Sequence, residues 1–233
     1  MTSDIGTTGP RSDTVNWTIA VLREILPRAC GASCKCAESP PEILTAEEVG
    51  RVKSPGDARR GDFIAGRRAA HDALAQIGIF GAVIPSGPNN EPVWPPGTVG
   101  SISHAGGFAV AVAARSDVLT AIGIDIELSG AVTSDVWPDI FQASEMAFVH
   151  SKPDAARRRF ATALFCLKEA FYKFQYPQTR QWLEFEDVEV LMDVGTHQSR
   201  LRPRHPITMG GRVLSGLPGH YRIGETHTVA VVF

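Results

Sequence analysis

Gly123-Ile124-Asp125-Ile126-Glu127 is the stretch from which the rest of this chain is best read. Its apolar and acidic residues alternate. In a β-strand, successive side chains point to opposite faces. Ile124 and Ile126 would then enter a core, and Asp125 and Glu127 would project together from the other face. Two carboxylates on one face repel each other unless a cation, a proton or solvent relieves them. A hard cation such as Mg²⁺ prefers oxygen ligands of this kind. For an isolated D-x-E, a solvated strand face is the commoner meaning, so the weight of the stretch depends on its company.

Three further signals accompany it. Phe165-Cys166-Leu167-Lys168-Glu169-Ala170-Phe171-Tyr172-Lys173 carries Glu169 and Lys173 one helical turn apart, on one face. Read alone this is a surface ion pair. Read beside the acidic strand, Glu169 is a third metal carboxylate and Lys173 a phosphate contact, with Lys168 and Tyr172 at its border. Gly100-Ser101-Ile102-Ser103-His104 places a histidine after a strand, where it could donate hydrogen bonds to a phosphate. Arg59-Arg60 is followed by Arg67-Arg68, and guanidinium groups fork well onto phosphate oxygens.

The composition sets the frame. Apolar residues make up 43% and charged residues 21% of the 233, which suits a soluble globular chain of one large domain or two small halves. A net charge of −2 gives no general attraction for nucleic acid or an anionic membrane, so any anionic ligand must be held by a local cluster. No segment is apolar and long enough to span a bilayer, and no basic segment precedes Arg11 as a secretory signal would require. A cytoplasmic protein is expected. Cys30, Cys34 and Cys36 lack a nearby histidine at zinc-finger spacing and read as reduced thiols in a loop.

Along the chain, residues 1–12 read as a loose tail. Asp13 caps a helix that Pro27 ends, and residues 27–41 read as a loop. Thr45-Ala46-Glu47-Glu48 resembles a capping box. Helices are expected over 63–77 and over 155–176, the second stopped by Pro177. Strands are expected at 99–103, 108–114, 121–128, 185–192, 212–215, 220–223 and 227–233. The runs at 108–114 and 227–233 echo each other, each closing a stretch of one long helix followed by strands. The division expected is 1–42 as N-terminal tail and extension, 43–117 as a first α+β half and 118–233 as a second.

The order of arginines, S-x-S-H, G-I-D-I-E and K-E-A-x-Y-K resembles the 4′-phosphopantetheinyl transferases, above all the siderophore and polyketide-activating branch of actinobacterial type. Gly66-Arg67-x-Ala69-Ala70, Glu91-Pro92-Val93-Trp94-Pro95 and Trp182-Leu183-x-Phe185-x-Asp187-Val188 extend the likeness. The resemblance implies an α+β fold of two similar halves related by pseudo-twofold symmetry. It implies transfer of the phosphopantetheine arm of coenzyme A to a serine of an apo-acyl or peptidyl carrier protein, with Mg²⁺ as cofactor, Mn²⁺ as a substitute, and a monomeric enzyme.

Roles follow residue by residue. Asp125, Glu127 and Glu169 match the metal acids, and Glu169 is also the candidate base. Arg59, Arg67, Ser103 and His104 match coenzyme phosphate contacts. Lys173 matches the pyrophosphate lysine, and Lys168, Tyr172 and Leu183 match residues along the coenzyme arm. One departure concerns Ser86-Gly87-Pro88-Asn89-Asn90, where the family usually has a basic residue near the coenzyme. Ser86 is assigned as a coenzyme contact, and without a basic side chain the loop either binds through backbone groups or lowers the affinity. Ile140, Phe141 and Phe148 are candidates for docking a carrier helix. Two rival classes remain at this level: a non-catalytic binder of coenzyme A or carrier proteins, and a metal-dependent hydrolase that removes the arm.

Overall fold

The structure, a computed structural model, describes residues 10–37, 44–49 and 57–233. Among the described residues, three helices and three strands build the first half: α1 (Pro10–Ile25), β1 (Gly31–Cys36), α2 (Ala46–Val49), α3 (Asp57–Gln76), β2 (Thr98–Ala105) and β3 (Phe108–Arg115), with β4 (Gly123–Leu128) opening the second. There follow α4 (Trp137–Ile140), α5 (Ala143–His150), α6 (Asp154–Thr179), a 3₁₀ turn (Phe185–Asp187), β5 (Val188–Asp193), β6 (Gln198–Pro203), β7 (Thr208–Met209), β8 (Arg212–Val213), β9 (Leu217–Ile223) and β10 (His227–Val232). One antiparallel sheet runs β1-β3-β2 and another β4-β10-β9-β6-β5, with a small β7-β8 ribbon beside them.

The two halves repeat one plan. Strand, long helix, strand, strand occurs as β1-α3-β2-β3 and again as β4-α6-β9-β10, with sheet orders β1-β3-β2 and β4-β10-β9. The opening strand of each half begins with a glycine pressed on its long helix. A Cβ at Gly31 would lie 1.9 Å from the Ala73 carbonyl oxygen, and one at Gly123 would lie 1.9 Å from that of Ala170. Only hydrogen fits there, so each strand can approach its helix backbone to backbone. The similar apolar runs are the fully buried β3 and β10, each lying inside its sheet.

Alternation in those strands divides the core. Ala111 and Ala113 pack under α3, while Ala230 and Val232 pack under α6. The opposite faces, with Val110, Val112, Ile124, Ile126, Val229 and Val231, join Leu22 and Leu26 of α1 in a core shared by both sheets. Asp125 and Glu127, facing the other way from the isoleucines, are thereby turned toward α6.

Several expectations are corrected. The segment read as a cysteine loop contains β1, paired with β3 from Gly31↔Ala113 to Cys36↔Phe108. Its Gly, Ala, Ser and Cys residues carry little β-propensity, and the pairing with β3 supplies what propensity does not. Residues 10–12 belong to α1 rather than to a tail. Pro177 does not stop α6, which runs on to Thr179 and ends where Arg180 turns left-handed at φ 56°. A proline in the last turn removes only one terminal hydrogen bond. Residues 185–187 form the 3₁₀ turn rather than strand, and β6 had no clear signal in Gln198-Ser-Arg-Leu-Arg-Pro203. Ile140 and Phe141 are 9% and 7% exposed and belong to the core, so neither is available for docking; Phe148 packs edge-on against Phe160.

Candidate active site

The two sheets meet where β2 lies beside β4 without a backbone ladder. Side chains bridge the seam instead. The Ile124 N–H donates to Ser101 Oγ at 3.1 Å, and the Ile126 N–H to Ser103 Oγ at 3.3 Å. The S-x-S alternation puts both hydroxyls on one side of β2, where they accept the donors that an edge strand leaves open.

Ser103 continues inward. Its hydroxyl donates to Asp125 Oδ1 at 2.7 Å, and Lys173 Nζ donates to the same oxygen at 2.6 Å and to Ser103 Oγ at 3.0 Å. Asp125 is 2% exposed, and its second oxygen, Oδ2, is buried with no hydrogen-bond partner. Burial alone would lower the Lys173 ammonium, but Asp125 and then Glu169 outweigh it and the net shift is upward. Glu127, next along the same strand face, is pushed up to about 7 by burial and then by Asp125 and Glu169, against the pull of Lys173. Burial also raises Glu169, helped by Asp125 and opposed by Lys173. Asp125 and Glu169 thus act on Glu127 as charges, and Asp125 acts on Glu169. Among the described residues no three His, Cys, Asp or Glu side chains stand as a preformed metal cluster. The orphaned Asp125 oxygen and the mutual repulsion of the acids nevertheless suit an oxygen-seeking cation.

Two cavities open beside this group. One, of about 320 Å³, is lined by Asn89–Pro92 and β2 on one side and by Glu169, Tyr172, Lys173 and Trp182 on the other. The second, of about 220 Å³, lies between α6 and the following segment, against Tyr172, Leu183, Phe185 and Val188. Glu169, Tyr172 and Trp182 border both. Tyr172 stacks on Tyr176 at 5.2 Å and meets Trp182 edge-on at 5.5 Å. Its hydroxyl is pushed up to about 12, first by burial, so it stays protonated.

The remaining candidates are dispersed. Arg67 is buried, donates to Ser86 Oγ at 3.0 Å, lies over the Phe63 ring at 4.6 Å, and keeps an unpartnered buried Nε. Burial lowers its pKa to about 10, with Glu48 opposing. The structure therefore joins Arg67 and Ser86. His104 points away from the acids, more than half exposed, with Nδ1 3.8 Å from Asp62. The Arg59 side chain lies outside the described residues. Lys168 lines the smaller cavity, but its ammonium is bound to the Phe185 and Val188 carbonyls and to Glu145.

Sequence reasoning missed the ties that close the neutral loop onto α6. Asn89 donates to the Tyr176 hydroxyl, and Arg180 pairs with Glu91, whose other oxygen takes the Asn89 N–H at 2.9 Å. A cation does stand beside this loop, but it comes from the end of α6. Tyr176 and Arg180 follow Lys173 at helical spacing, and that was the available signal.

Comparison with known proteins agrees with the geometry. Residues 47–114 match the 4′-phosphopantetheinyl transferase N-terminal domain, and residues 121–221 match the 4′-phosphopantetheinyl transferase superfamily. The chain is 34% identical to the 4′-phosphopantetheinyl transferase PptT of Mycobacterium tuberculosis, over 85% of this chain and 88% of that protein. It is 32% identical to Svp of Streptomyces mobaraensis (84% and 80% covered) and 31% identical to Npt of Nocardia iowensis (88% and 96% covered), both also 4′-phosphopantetheinyl transferases. A seam strand bearing buried acids, a helix carrying Glu169 and Lys173, and these relatives lead to one conclusion: the chain belongs to the 4′-phosphopantetheinyl transferases, enzymes that move the phosphopantetheine arm of coenzyme A onto a carrier-protein serine.

Proposed function

We propose that Asp125, Glu127 and Glu169 hold a divalent cation, Mg²⁺ or in its place Mn²⁺, and that the two cavities bordered by Glu169 receive coenzyme A. The observation that carries this reading is that Glu169, which borders both cavities, and Lys173, which borders the larger, stand with Asp125 and Glu127 as one coupled group of charges. When bound, the cation neutralises a diphosphate and fixes its orientation. Lys173, already placed by Asp125 and Ser103, turns its ammonium to the oxygen that leaves with 3′,5′-ADP. Glu169, with its raised pKa, accepts the proton of the carrier serine as that oxygen bonds to the β-phosphorus and the bond to the departing ADP oxygen breaks. Arg67 with Ser86 holds phosphate, together with Arg59, Ser103 and His104. Tyr172 and Leu183 flank the arm. The enzyme works as a cytoplasmic monomer, where coenzyme A and apo-carriers meet, and serves secondary metabolism, siderophore or lipid synthesis.

Incubation of an apo-carrier with coenzyme A and Mg²⁺, read by mass spectrometry, tests this reading. The expected result is a gain of one phosphopantetheine, lost when the metal is chelated. Glu169→Gln should slow transfer by about 10²–10⁴-fold while leaving the melting temperature in place. Transfer that survives chelation or that substitution would end the assignment.

A further inference from the structure

Lys168 stands where the resemblance expects a coenzyme contact, yet its donors are committed inside the protein. The residue is 2% exposed. Its Nζ donates to the Phe185 carbonyl at 2.7 Å and the Val188 carbonyl at 2.8 Å, and pairs with Glu145 Oε2 at 2.8 Å. An ammonium has three N–H donors, and these contacts use all three. Glu145 is equally enclosed. It takes the Gln142 N–H at 2.8 Å, closing the capping box of α5, and the Val190 N–H at 2.8 Å.

The first half contains the same device. Glu48 takes the Thr45 N–H at 3.0 Å at the start of α2, His71 Nε2 of α3 at 2.7 Å and the Ile84 N–H at 3.0 Å. Thr45, Glu48, His71 and Ala73 correspond to Gln142, Glu145, Lys168 and Ala170, and the step from 45 to 142 equals those from 48 to 145, 71 to 168 and 73 to 170. In each half a capping-box glutamate ties the long helix to the segment that leaves it. One segment leads into Ser86 and Asn89, and the other carries Leu183 and Phe185. Asn89 lines the larger cavity, and Leu183 and Phe185 line the smaller.

We propose that Lys168 is a positioning residue: with Glu145 it holds the 182–188 segment as the wall of the arm cavity, and its ammonium makes no bond to the coenzyme. The proposal rests on the transferase reading above. It acts through the Phe185 and Val188 carbonyls, which the ammonium draws toward α6. Removing the ammonium leaves a buried carboxylate unpaired and two carbonyls without a donor. Replacing that carboxylate by an amide in the same variant supplies a donor and removes the charge.

Calorimetric titration of the full chain with coenzyme A and with 3′,5′-ADP, which lacks the arm, separates the roles. Lys168→Met should weaken coenzyme A binding by about tenfold, as expected when a binding wall shifts, with 3′,5′-ADP binding unchanged. The double variant Lys168→Met/Glu145→Gln should recover most of that loss. No recovery would mean that the ammonium binds the arm directly and would overturn the proposal. Equal loss for both ligands would overturn it as well, since the pair would then support the fold at large. If Lys168→Met does not fold, Glu145→Gln alone should still weaken coenzyme A selectively, and a loss shared with 3′,5′-ADP would refute the role. A wild-type chain that binds no coenzyme A would remove the transferase reading and this proposal together.

Discussion

Cys34 and Cys166 show how local environment sets the chemistry of a side chain. Burial raises both thiols; Asp125 and Glu127 push Cys166 further, and Cys36 does the same for Cys34. The thiolate is the reactive form, so neither should react near neutral pH. Iodoacetamide should label the partly exposed Cys36 in the native protein, Cys30 more slowly because burial raises its thiol too, and Cys34 and Cys166 only after unfolding, as peptide mapping would show. Rapid native labelling of Cys166 would contradict the enclosed site beneath the acids. At this scale Asp125, Glu127, Glu169 and Lys173 were legible, because alternation in a strand and spacing on a helix fix the direction of each side chain. The commitment of Lys168 was not legible. Its partners, Glu145 and the 185 and 188 carbonyls, are brought to it by tertiary packing that no local spacing records.

Elements depend on a few close contacts. At Gly123 the strand carrying the acids rests on the backbone of α6. Gly123→Ala should force them apart at a cost of about 3 kcal/mol, read as a lower melting temperature together with lost transfer. The Glu48 tie makes a different prediction. Burial alone would raise its carboxyl, but the Ile84 and Thr45 N–H groups and His71 outweigh it and the net shift is downward. A lowered folded pKa gives stability that is complete above the unfolded value and lost as pH falls through the folded one. Glu48→Gln should therefore cost about 1–3 kcal/mol at neutral pH. The gap in melting temperature from wild type should close on acidification; a gap constant with pH would exclude an ionic role. The long helices, the central strands and the Thr45 capping box were readable from periodicity and capping residues. β1 was not, since Gly-Ala-Ser-Cys-Lys-Cys has neither alternation nor β-branched residues, and its strand exists through β3.

Over the whole molecule, the two β-α-β-β units are not independent. The faces of β3, β4 and β10 turned from the long helices bury Val110, Val112, Ile124, Ile126, Val229 and Val231 in one core with α1. Residues 118–233 expressed alone would expose Ile124, Ile126, Val229 and Val231, and should aggregate or show no cooperative thermal transition; a sharp transition by circular dichroism would show that the second unit is self-sufficient. The echo between residues 108–114 and 227–233 was visible in sequence, but the equivalence of Glu48 with Glu145 was not. One glutamate meets a histidine and the other a lysine, so the shared function is hidden by unlike letters. The seam has its own consequence. Ser101 and Ser103 fasten β4 to its neighbour with two hydroxyl pins in place of a continuous zipper. Pins release singly, at about 1 kcal/mol each, whereas a zipper yields all at once. Since the Ser103 pin also donates to Asp125 and accepts from Lys173, one hydroxyl both fastens the units and places the acid, so losing it should disturb the join and the site together.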